Sequence, residues 1–352
     1  MQTIRNIRQR GQQFVNPMFS TPKELVAWMG AMQAQDYTMA KWAVGVRMKN
    51  AISEQAIEEA FNKAEILRTH VMRPTWHFVT PENIRWMLKL SARHIKSAYK
   101  SYMGNMNASE SFYRTAQECL IKMLEGGRNL TRQEIALQLN IAGIDTSDPR
   151  IVYRILGYAE VDGVICSGVV KEKKQTYALL DERVPPMPEL SKEEALSRLA
   201  RNYFQSHSPA SLTDFVWWSG LSTTEARTAI HLIRQELTEE HLNGKALFVH
   251  QSCDASPCID GICHLIPSYD EYIISYKDRT DVLDAQHSAR AFSSNGIFQP
   301  IVFLNGEIVG NWKKSVARKQ LVIDQQVFGG KAEIPQKLWK KAEERYKKYV
   351  NG

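Results

Sequence analysis

Three observations predict a mainly helical α+β fold built from repeated units. The first is a recurring helix-start motif, a threonine or serine followed three residues later by an acidic residue. It occurs at Thr21, Thr131, Ser191, Ser211 and Ser222. The second is that groups of short helices precede β-like runs three times along the chain. The third is a strand-rich composition from about residue 262 onward. We therefore expect three tandem units followed by a small antiparallel β-barrel or sheet.

The first unit is predicted within residues 1–104. Apolar periodicity and the cap motif at Thr21 indicate helices before a pair of β-like runs, which Arg73-Pro74 separates. In chain order the elements are helices at about 22–32, 40–48 and 53–63, strands ILRTHVM and TWHFV, and a longer connecting helix over 81–103.

The second unit, residues 105–187, shows the repeat best. Its elements are helices over 109–125, 131–140 and 148–163, the strand VICSGVV, the charged turn KEKK at 171–174, and the strand QTYALL. Three helices followed by a two-stranded wing is the order of a winged helix, in which the third helix normally enters a DNA groove. The same order in the first unit predicts the same fold there.

The third unit spans residues 188–261, after the proline-rich linker VPPMPEL at 184–190. Helices at about 192–205, 211–220 and 222–236 precede a hairpin that turns at Asn243-Gly244. Residues 262–352 follow, with strand-rich runs that contain Asn-Gly and Gly-Gly turns. A basic amphipathic helix, PQKLWKKAEERYKKYV, ends this last region.

Composition narrows the function. The 352 residues carry a net charge of +7, which favours a polyanionic partner, although a basic surface with no specific partner is the alternative. No signal peptide and no apolar run of about 18 residues is visible, so neither secretion nor a membrane span is expected. Cys119 and Cys166 lie in apolar patterns and are expected to be buried thiols. These features together predict a cytoplasmic protein.

Cationic side chains on the predicted wings and third helices are the candidates for phosphate contact. They are Arg73 at the first wing, Arg150 and Arg154 on the helix over 148–163, and Lys171, Lys173 and Lys174 in the second wing. Solvated charges on winged helices that only hold domains together are the alternative.

One stretch has a metal-like composition: His250, Cys253, Cys258, Cys263 and His264. Structural zinc sites usually pair cysteines two to four residues apart in each of two knuckles. Here the gaps are four intervening residues and no second knuckle is visible, so no metal is predicted. A disulfide or a simple variable hairpin is favoured instead. No phosphate-binding or hydrolase motif is found either.

Five blocks resemble the AlkZ-like winged-helix DNA glycosylases, in the family's order and over most of the chain. They are MGAMQAQDYTMAKWAVGVRM (29–48), LRTHVMRPTWHFV (67–79), SPASLTDFVWWSGLSTTEAR (208–227), LIPSYDEYIISYKDRT (265–280) and GIFQPIVFLNGEIVGNWKK (296–314). The resemblance implies a monofunctional glycosylase without a cofactor. It also implies excision of bulky N-alkylated purines, including interstrand crosslinks, from duplex DNA.

The family's catalytic signature, glutamine, an apolar residue, then glutamine or aspartate, maps onto Gln33, Ala34 and Gln35. An extended backbone would place both amides on one face. A purine alkylated at N7 or N3 is cationic and leaves without protonation, so two amides that hold a water against the sugar carbon can suffice. Asp36 is the competing candidate, with capping of the next helix as its other role.

Three further polar residues lie in these blocks: His77, Asp270 and Glu271. His77 is predicted near the glutamines because it matches the family block, although a histidine in a strand is often structural. Asp270 and Glu271 would point apart on a strand, which disfavours a paired acid and base. We expect them to tie the barrel-like region to the third unit.

Two classes of function remain besides the enzyme. A winged-helix regulator or architectural protein would bind DNA without chemistry, and a scaffold would bind none. A regulator has no use for two convergent amides, and it normally dimerises to read a two-fold site. Three tandem units in one chain reduce that need, so we expect a monomer.

Overall fold

The structure is a computed structural model that describes residues 1–102, 108–258, 261–318, 320–330 and 333–352. It has a mainly helical α+β fold with small antiparallel sheets. The residues form two compact units. These two units of the structure, called the first and second unit below, have different bounds from the predicted units. The first unit is Met1–Ile57 with Leu196–Gly352, and the second unit is Glu58–Ala195. The predicted division at 1–104, 105–187, 188–261 and 262–352 stays a prediction, and its boundary at 104/105 lies outside the described residues.

Helices supply most of the regular structure. In chain order they are α1 (Gln2–Gly11), α2 (Pro22–Met29), α3 (Tyr37–Gly45), α4 (Glu54–Asn62), α5 (Pro81–Tyr102), α6 (Glu110–Leu124), α7 (Arg132–Ile141), α8 (Pro149–Val161), α9 (Leu180–Arg183), α10 (Lys192–His207), α11 (Leu212–Ser219), α12 (Thr223–Leu232), α13 (Glu271–Ile274), α14 (Ser288–Ala291) and α15 (Gln336–Asn351). None of the helices in the described ranges is both long and apolar enough to cross a bilayer.

The strands are short and their observed pairings are antiparallel. They are β1 (Met32–Gln33), β2 (Leu67–His70), β3 (Trp76–Val79), β4 (Leu130–Thr131), β5 (Ile165–Ser167), β6 (Thr176–Leu179), β7 (Leu237–Leu242), β8 (Lys245–His250), β9 (Cys263–Ile266), β10 (Ile301–Leu304), β11 (Glu307–Ala317) and β12 (Gln320–Val327). β2 pairs with β3, β6 lies between β4 and β5, and β7 pairs with β8.

The predicted helix starts are confirmed by their caps. Thr21, Thr131, Ser211 and Ser222 each form a reciprocal capping box with the acidic residue three positions later. These boxes satisfy amide groups that a helix leaves unpaired at its start. α3 begins earlier than predicted because Asp36 caps it, accepting from the Met39 N–H at 3.1 Å.

The second unit contains the predicted sequence of helix, helix, helix, strand, turn and strand. α6, α7 and α8 enclose an apolar core with β5 and β6, in which Leu120, Leu139, Ile155 and Ile165 are buried. The turn between Lys171 and Lys174 is closed by two backbone hydrogen bonds of 3.0 and 2.7 Å.

The C-terminal strands of the first unit form a four-stranded antiparallel sheet in the order β12, β11, β10, β9. β10 and β11 are joined by the turn at Asn305-Gly306, where both residues have positive φ. The predicted sheet is therefore present, while its closure into a barrel stays a prediction. One part of the prediction was wrong: Asp270 and Glu271 do not lie on a strand, because Asp270 caps the short helix α13.

The two terminal helices of the first unit differ in how well they were predicted. α1 was not predicted, because its cations obscure the buried stripe of Ile4 and Ile7. α15 was predicted as a basic amphipathic helix, and it buries Trp339, Tyr346 and Tyr349. Tyr346 and Tyr349 pack on the Trp42 ring of α3, at centroid distances of 4.9 and 4.8 Å.

A buried ion pair joins α3 to α13 within the first unit. Both guanidinium Nη atoms of Arg47 donate to the Asp270 carboxylate, at 2.8 and 2.6 Å, and neither side chain is exposed. Arg47 also donates to the Ala43 carbonyl and to Gln12 Oε1. A buried charge is costly unless it is paired and hydrogen-bonded, and here both conditions are met.

We expect the substitution Asp270→Asn to destabilise the first unit strongly. Asparagine keeps a side-chain oxygen for the Tyr272 N–H but leaves the buried Arg47 charge uncompensated, a loss of about 3 to 5 kcal/mol. Urea denaturation at pH 7 measures it. The matched control is Asp254→Asn, at the more exposed pair with Arg10, which should leave the midpoint near that of the wild type. Equal midpoints for both variants would contradict a stabilising role for the buried pair.

Candidate active site

The two signature glutamines lie in different environments. β1 ends at Gln33, whose side chain is 5% exposed, and Ala34 is fully buried. Gln35 lies in a bend and is exposed to solvent. The backbone is therefore not a continuous strand across the signature, so the alternation rule for strands does not fix both amides on one face. A shared role for Gln33 and Gln35 stays a prediction.

A buried carboxylate holds the main chain of the signature. The backbone N–H of Gln33 donates to Oε1 of Glu271 at 2.5 Å. Oε2 of Glu271 accepts from the Trp218 indole N–H at 3.1 Å and from the Ser275 hydroxyl. Glu271 is 1% exposed. Both carboxylate oxygens are thus engaged inside the protein, and the start of the signature is fixed in place.

His207 completes this cluster. Its Nε2 lies 3.5 Å from Oε2 of Glu271, and its ring stacks on Tyr203 at a centroid distance of 4.9 Å. Burial acts to raise the pKa of Glu271, but the hydrogen bonds from His207, Ser275 and the Gln33 N–H, with the His207 charge interaction, outweigh it and lower the pKa to about 2. Burial lowers the pKa of His207, against the opposing effect of Glu271. At neutral pH the Glu271 carboxylate is ionised.

Sequence reasoning missed this contact to the signature. It expected Glu271 to tie the C-terminal region to the third unit, and the bond to Trp218 of α11 confirms that link. The bond to Gln33 joins residues 238 positions apart, so no local pattern could indicate it. The available signal was that Glu271, Trp218 and His207 lie in or beside two of the blocks that carry the family resemblance.

His77 belongs to the second unit and has no exposed surface. Its Nδ1 is 2.9 Å from the Thr75 carbonyl oxygen, and its Nε2 is 3.5 Å from an Nη of Arg73. Arg73 is half-buried and follows Met72, which has a positive φ of 63°. The histidine is thus built into the turn that carries Arg73. Its predicted catalytic role and its predicted proximity to the glutamines stay predictions.

The other cations predicted to contact DNA also lie in the second unit. The Arg150 side chain is 74% exposed and pairs with Asp148, the cap of α8, at 2.7 Å. Arg154 is only 7% exposed. Lys171, Lys173 and Lys174 are exposed in their turn, where Lys173 has a positive φ of 65°. All five except Arg154 are thus exposed enough to reach a phosphate. Phosphate contact stays a prediction for all five.

The cysteine-rich stretch forms neither a disulfide nor a metal cluster in the described parts of the chain. The favoured disulfide is therefore absent from the structure. Burial raises the pKa of the Cys263 thiol to about 12 and that of Cys253 to about 11. Nε2 of His264 lies 3.0 Å from the Phe14 carbonyl oxygen. Burial lowers the pKa of His264 to about 3. These side chains act as packing groups.

One protein family matches most of the chain. The model of the family described as DNA glycosylase AlkZ-like matches residues 26–342. Among solved structures, the chain is similar to the Streptomyces sahachiroi DNA glycosylase AlkZ, with a TM-score of 0.80 and 21% sequence identity over 99% of this chain and 96% of that one. No curated protein matches the chain.

We expect Glu271→Gln to reduce stability in a pH-dependent way. At pH 7 the variant loses charge-assisted hydrogen bonds, a loss of about 2 to 3 kcal/mol. Because folding lowers the pKa of Glu271, the ionised carboxylate contributes fully above the unfolded value near 4.5, and the contribution is lost as pH falls toward 2. The difference in the free energy of unfolding between wild type and variant should therefore become smaller below pH 4.5. Urea midpoints between pH 7 and pH 3 measure it.

The control for that series is Glu240→Gln, which removes an exposed carboxylate from β7 of the same unit. It should track the wild type at pH 7. A stability difference between Glu271→Gln and the wild type that stays constant down to pH 3 would contradict the lowered pKa of Glu271 in the folded protein.

Proposed function

We propose that this chain, which belongs to the AlkZ-like family of DNA glycosylases, hydrolyses the N-glycosidic bond of purines alkylated at N7 or N3. Glycosylase activity follows from the family. The class of base, the inclusion of interstrand crosslinks and the residue roles are the proposal. The observation that carries it is the 2.5 Å bond from the Gln33 N–H to buried Glu271, which fixes the start of the signature.

In this mechanism, Gln33 and Gln35 position a water rather than deprotonate it. The side-chain amide of each can donate to a water and accept from it. Gln35 is exposed to solvent. The main chain of Gln33 is fixed by its hydrogen bond to Glu271. An N7- or N3-alkylated purine carries a positive charge and leaves without a general acid. Accurate placement of the water against the anomeric carbon can then supply several kcal/mol.

The nearby carboxylates support positioning over base catalysis. Glu271 is enclosed and has a pKa near 2, so it is too weak a base and has no access to a solvent water. Asp36 uses Oδ1 to cap α3. In this proposal neither accepts the proton of the attacking water. The alkylated purine takes the electron pair of the glycosidic bond and leaves as a neutral base. The water loses its proton to bulk solvent once its oxygen has bonded to the anomeric carbon. A neutral base, which is a poor leaving group, would then react slowly, and undamaged DNA would be spared.

The partner in this proposal is double-stranded DNA, bound by a monomer through three tandem winged-helix units and a barrel-like C-terminal region. Support comes from the order of elements: α2 to α4, α6 to α8 and α10 to α12 each precede an antiparallel strand pair. Arg73, Arg150, Arg154, Lys171, Lys173 and Lys174 are the proposed phosphate contacts. Free thiols suit the cytoplasm, where chromosomal DNA is found.

His77 enters the proposal as a positioning residue. Its Nε2 lies 3.5 Å from the guanidinium of Arg73, and its Nδ1 is held by the Thr75 carbonyl. A buried ring in this position restricts the conformations of Arg73. We infer that His77 affects the reaction through the phosphate contact of Arg73.

We expect the double substitution Gln33→Ala, Gln35→Ala to reduce base release by roughly 100-fold or more, because the attacking water is no longer held. The fold should persist, since Glu271 binds the main chain of residue 33 rather than its side chain. Single-turnover release of N7-methylguanine from alkylated duplex DNA measures the rate, and DNA affinity should be nearly unchanged.

The control is Gln325→Ala, at an exposed glutamine of β12, which should release base at the wild-type rate. If the double variant also does so, the glutamines do not position the water. If the wild type binds duplex DNA but releases no base from small, bulky or crosslinked adducts, the proposed substrate class is wrong.

We expect the wing of the second unit to contribute to salt-dependent DNA binding. Lys173→Asn with Lys174→Gln removes two charges, and asparagine tolerates the positive φ at position 173. Each lost phosphate contact should lower the slope of log affinity against log salt by about 0.9, or by about 2 in total. Fluorescence anisotropy with duplex DNA measures the slope. Lys192→Gln, at the exposed start of α10, is the control, and an unchanged slope in the double variant would exclude this wing from the interface.

A further inference from the structure

A cavity of about 520 Å³ lies in the second unit beside α8. Four aromatic side chains contribute to its walls: Trp76 of β3, Tyr99 of α5, Tyr153 of α8 and Tyr177 of β6. They come from four separate elements, so the fold brings together rings that are distant in sequence. A volume in this range suits a small organic ligand.

The aromatic walls are held in place. The guanidinium of Arg68 lies 4.4 Å from the Trp76 ring centroid, and that of Arg132 lies 4.2 Å from the Tyr153 ring. Gly157 of α8 lets Tyr99 approach, because a Cβ at that position would come within 3.1 Å of the Tyr99 hydroxyl oxygen. The rings are therefore pre-oriented, which reduces the entropy lost on binding a flat ligand.

A buried polar pair also lines this cavity. His70 Nδ1 is hydrogen-bonded to Glu160 Oε2, and both residues are almost fully buried. Burial, and next the charge of Glu160, raises the pKa of both Tyr99 and Tyr177. The Glu160 carboxylate and the His70 ring place polar atoms in the wall of the aromatic cavity. A carboxylate oxygen at this point can accept from the amino or ring N–H groups of a nucleobase.

A second cavity of about 300 Å³ adjoins the first, and the two share Tyr99 and Arg154. It is lined by the cations Lys96, Lys100, Arg114 and Arg154, against the carboxylates Glu110 and Asp162. Asp162 is paired with Lys96. The excess of cations makes this part suitable for a phosphate group.

We propose that these two cavities, which share Tyr99 and Arg154 in their linings, bind a single unpaired nucleotide. Its base stacks on the exposed Tyr153 ring and its phosphate lies beside Lys100 and Arg114. Aromatic faces with an adjoining cationic groove are how proteins bind unpaired nucleotides, and each stacked base contributes roughly 1 to 3 kcal/mol. The site breaks no bond and so goes beyond the proposed hydrolysis. Its nucleotide comes either from an unpaired position in a DNA strand or from the free pool.

Fluorescence of 2-aminopurine tests this, because stacking on an aromatic ring quenches it. The probes are 2-aminopurine deoxyribonucleoside, its 5′-monophosphate, and a single-stranded oligonucleotide that carries one such base. We expect the protein to quench the fluorescence of the monophosphate, of the oligonucleotide or of both. Quenching of the monophosphate identifies the free pool as a sufficient source of the nucleotide. Quenching of the oligonucleotide alone identifies a DNA strand as the source. No quenching with either would overturn the proposal.

Two variants separate the halves of the site. Tyr153→Ala, at a side chain 44% exposed, should weaken binding of the quenched probe roughly 5- to 100-fold. Leu137→Ala, at an exposed leucine of α7 in the same unit, is the matched control and should bind as the wild type does. Arg114→Gln should weaken the phosphorylated probes and leave the nucleoside unchanged.

Wild-type affinity in Tyr153→Ala would overturn the stacking role, and equal affinity for phosphorylated and unphosphorylated probes in the wild type would overturn the phosphate role. Thermal melting of each variant confirms that it is folded. None of these probes is alkylated, so a failure of base release leaves the result unaffected, and a failure of quenching leaves the proposed hydrolysis unaffected.

Discussion

Two adjacent carboxylates hold the candidate catalytic segment at both ends. Asp270 binds Arg47, just beyond α3, and Glu271 binds the main chain of Gln33 ahead of it. Burying two neighbouring negative charges is possible only because each has its own donors, a guanidinium for one and N–H and O–H groups for the other. Both ends of the segment 33–47 are therefore bound to the first turn of α13. A displacement of α13 would change the contacts at both ends.

The same constraint shapes the chemistry. A carboxylate that fixes the backbone cannot also serve as the general base, because its oxygens are occupied and its pKa is low. In the proposed mechanism the side chains that hold the water are amides, which orient it without removing a proton. Such a device suits a leaving group that already carries positive charge. The anchoring of Gln33 and the proposed preference for cationic purines thus have one cause.

Local signals predicted the helices well and the tertiary details poorly. Caps such as Thr131 with Glu134 act over three residues, so they can be read from sequence. α1 was missed because its cations obscure the buried stripe of Ile4 and Ile7. α13 was missed because its cap, Asp270, is held by a distant partner, Arg47. The signature itself was recognisable from the family resemblance, but its anchor was not, since Glu271 is 238 residues away.

Positioning a water with amides supplies only part of the rate enhancement that an enzyme needs, so binding energy elsewhere on the substrate must contribute. In the proposed function, exposed lysines, an exposed arginine and the aromatic cavity of the second unit would supply such contacts to phosphate and to bases. The first unit carries Gln33, whose main chain is anchored by an enclosed carboxylate. If catalysis is weak and binding is extensive, the choice between alkylated and undamaged purines depends on how readily each base leaves. Binding alone does not cleave the glycosidic bond of a neutral base.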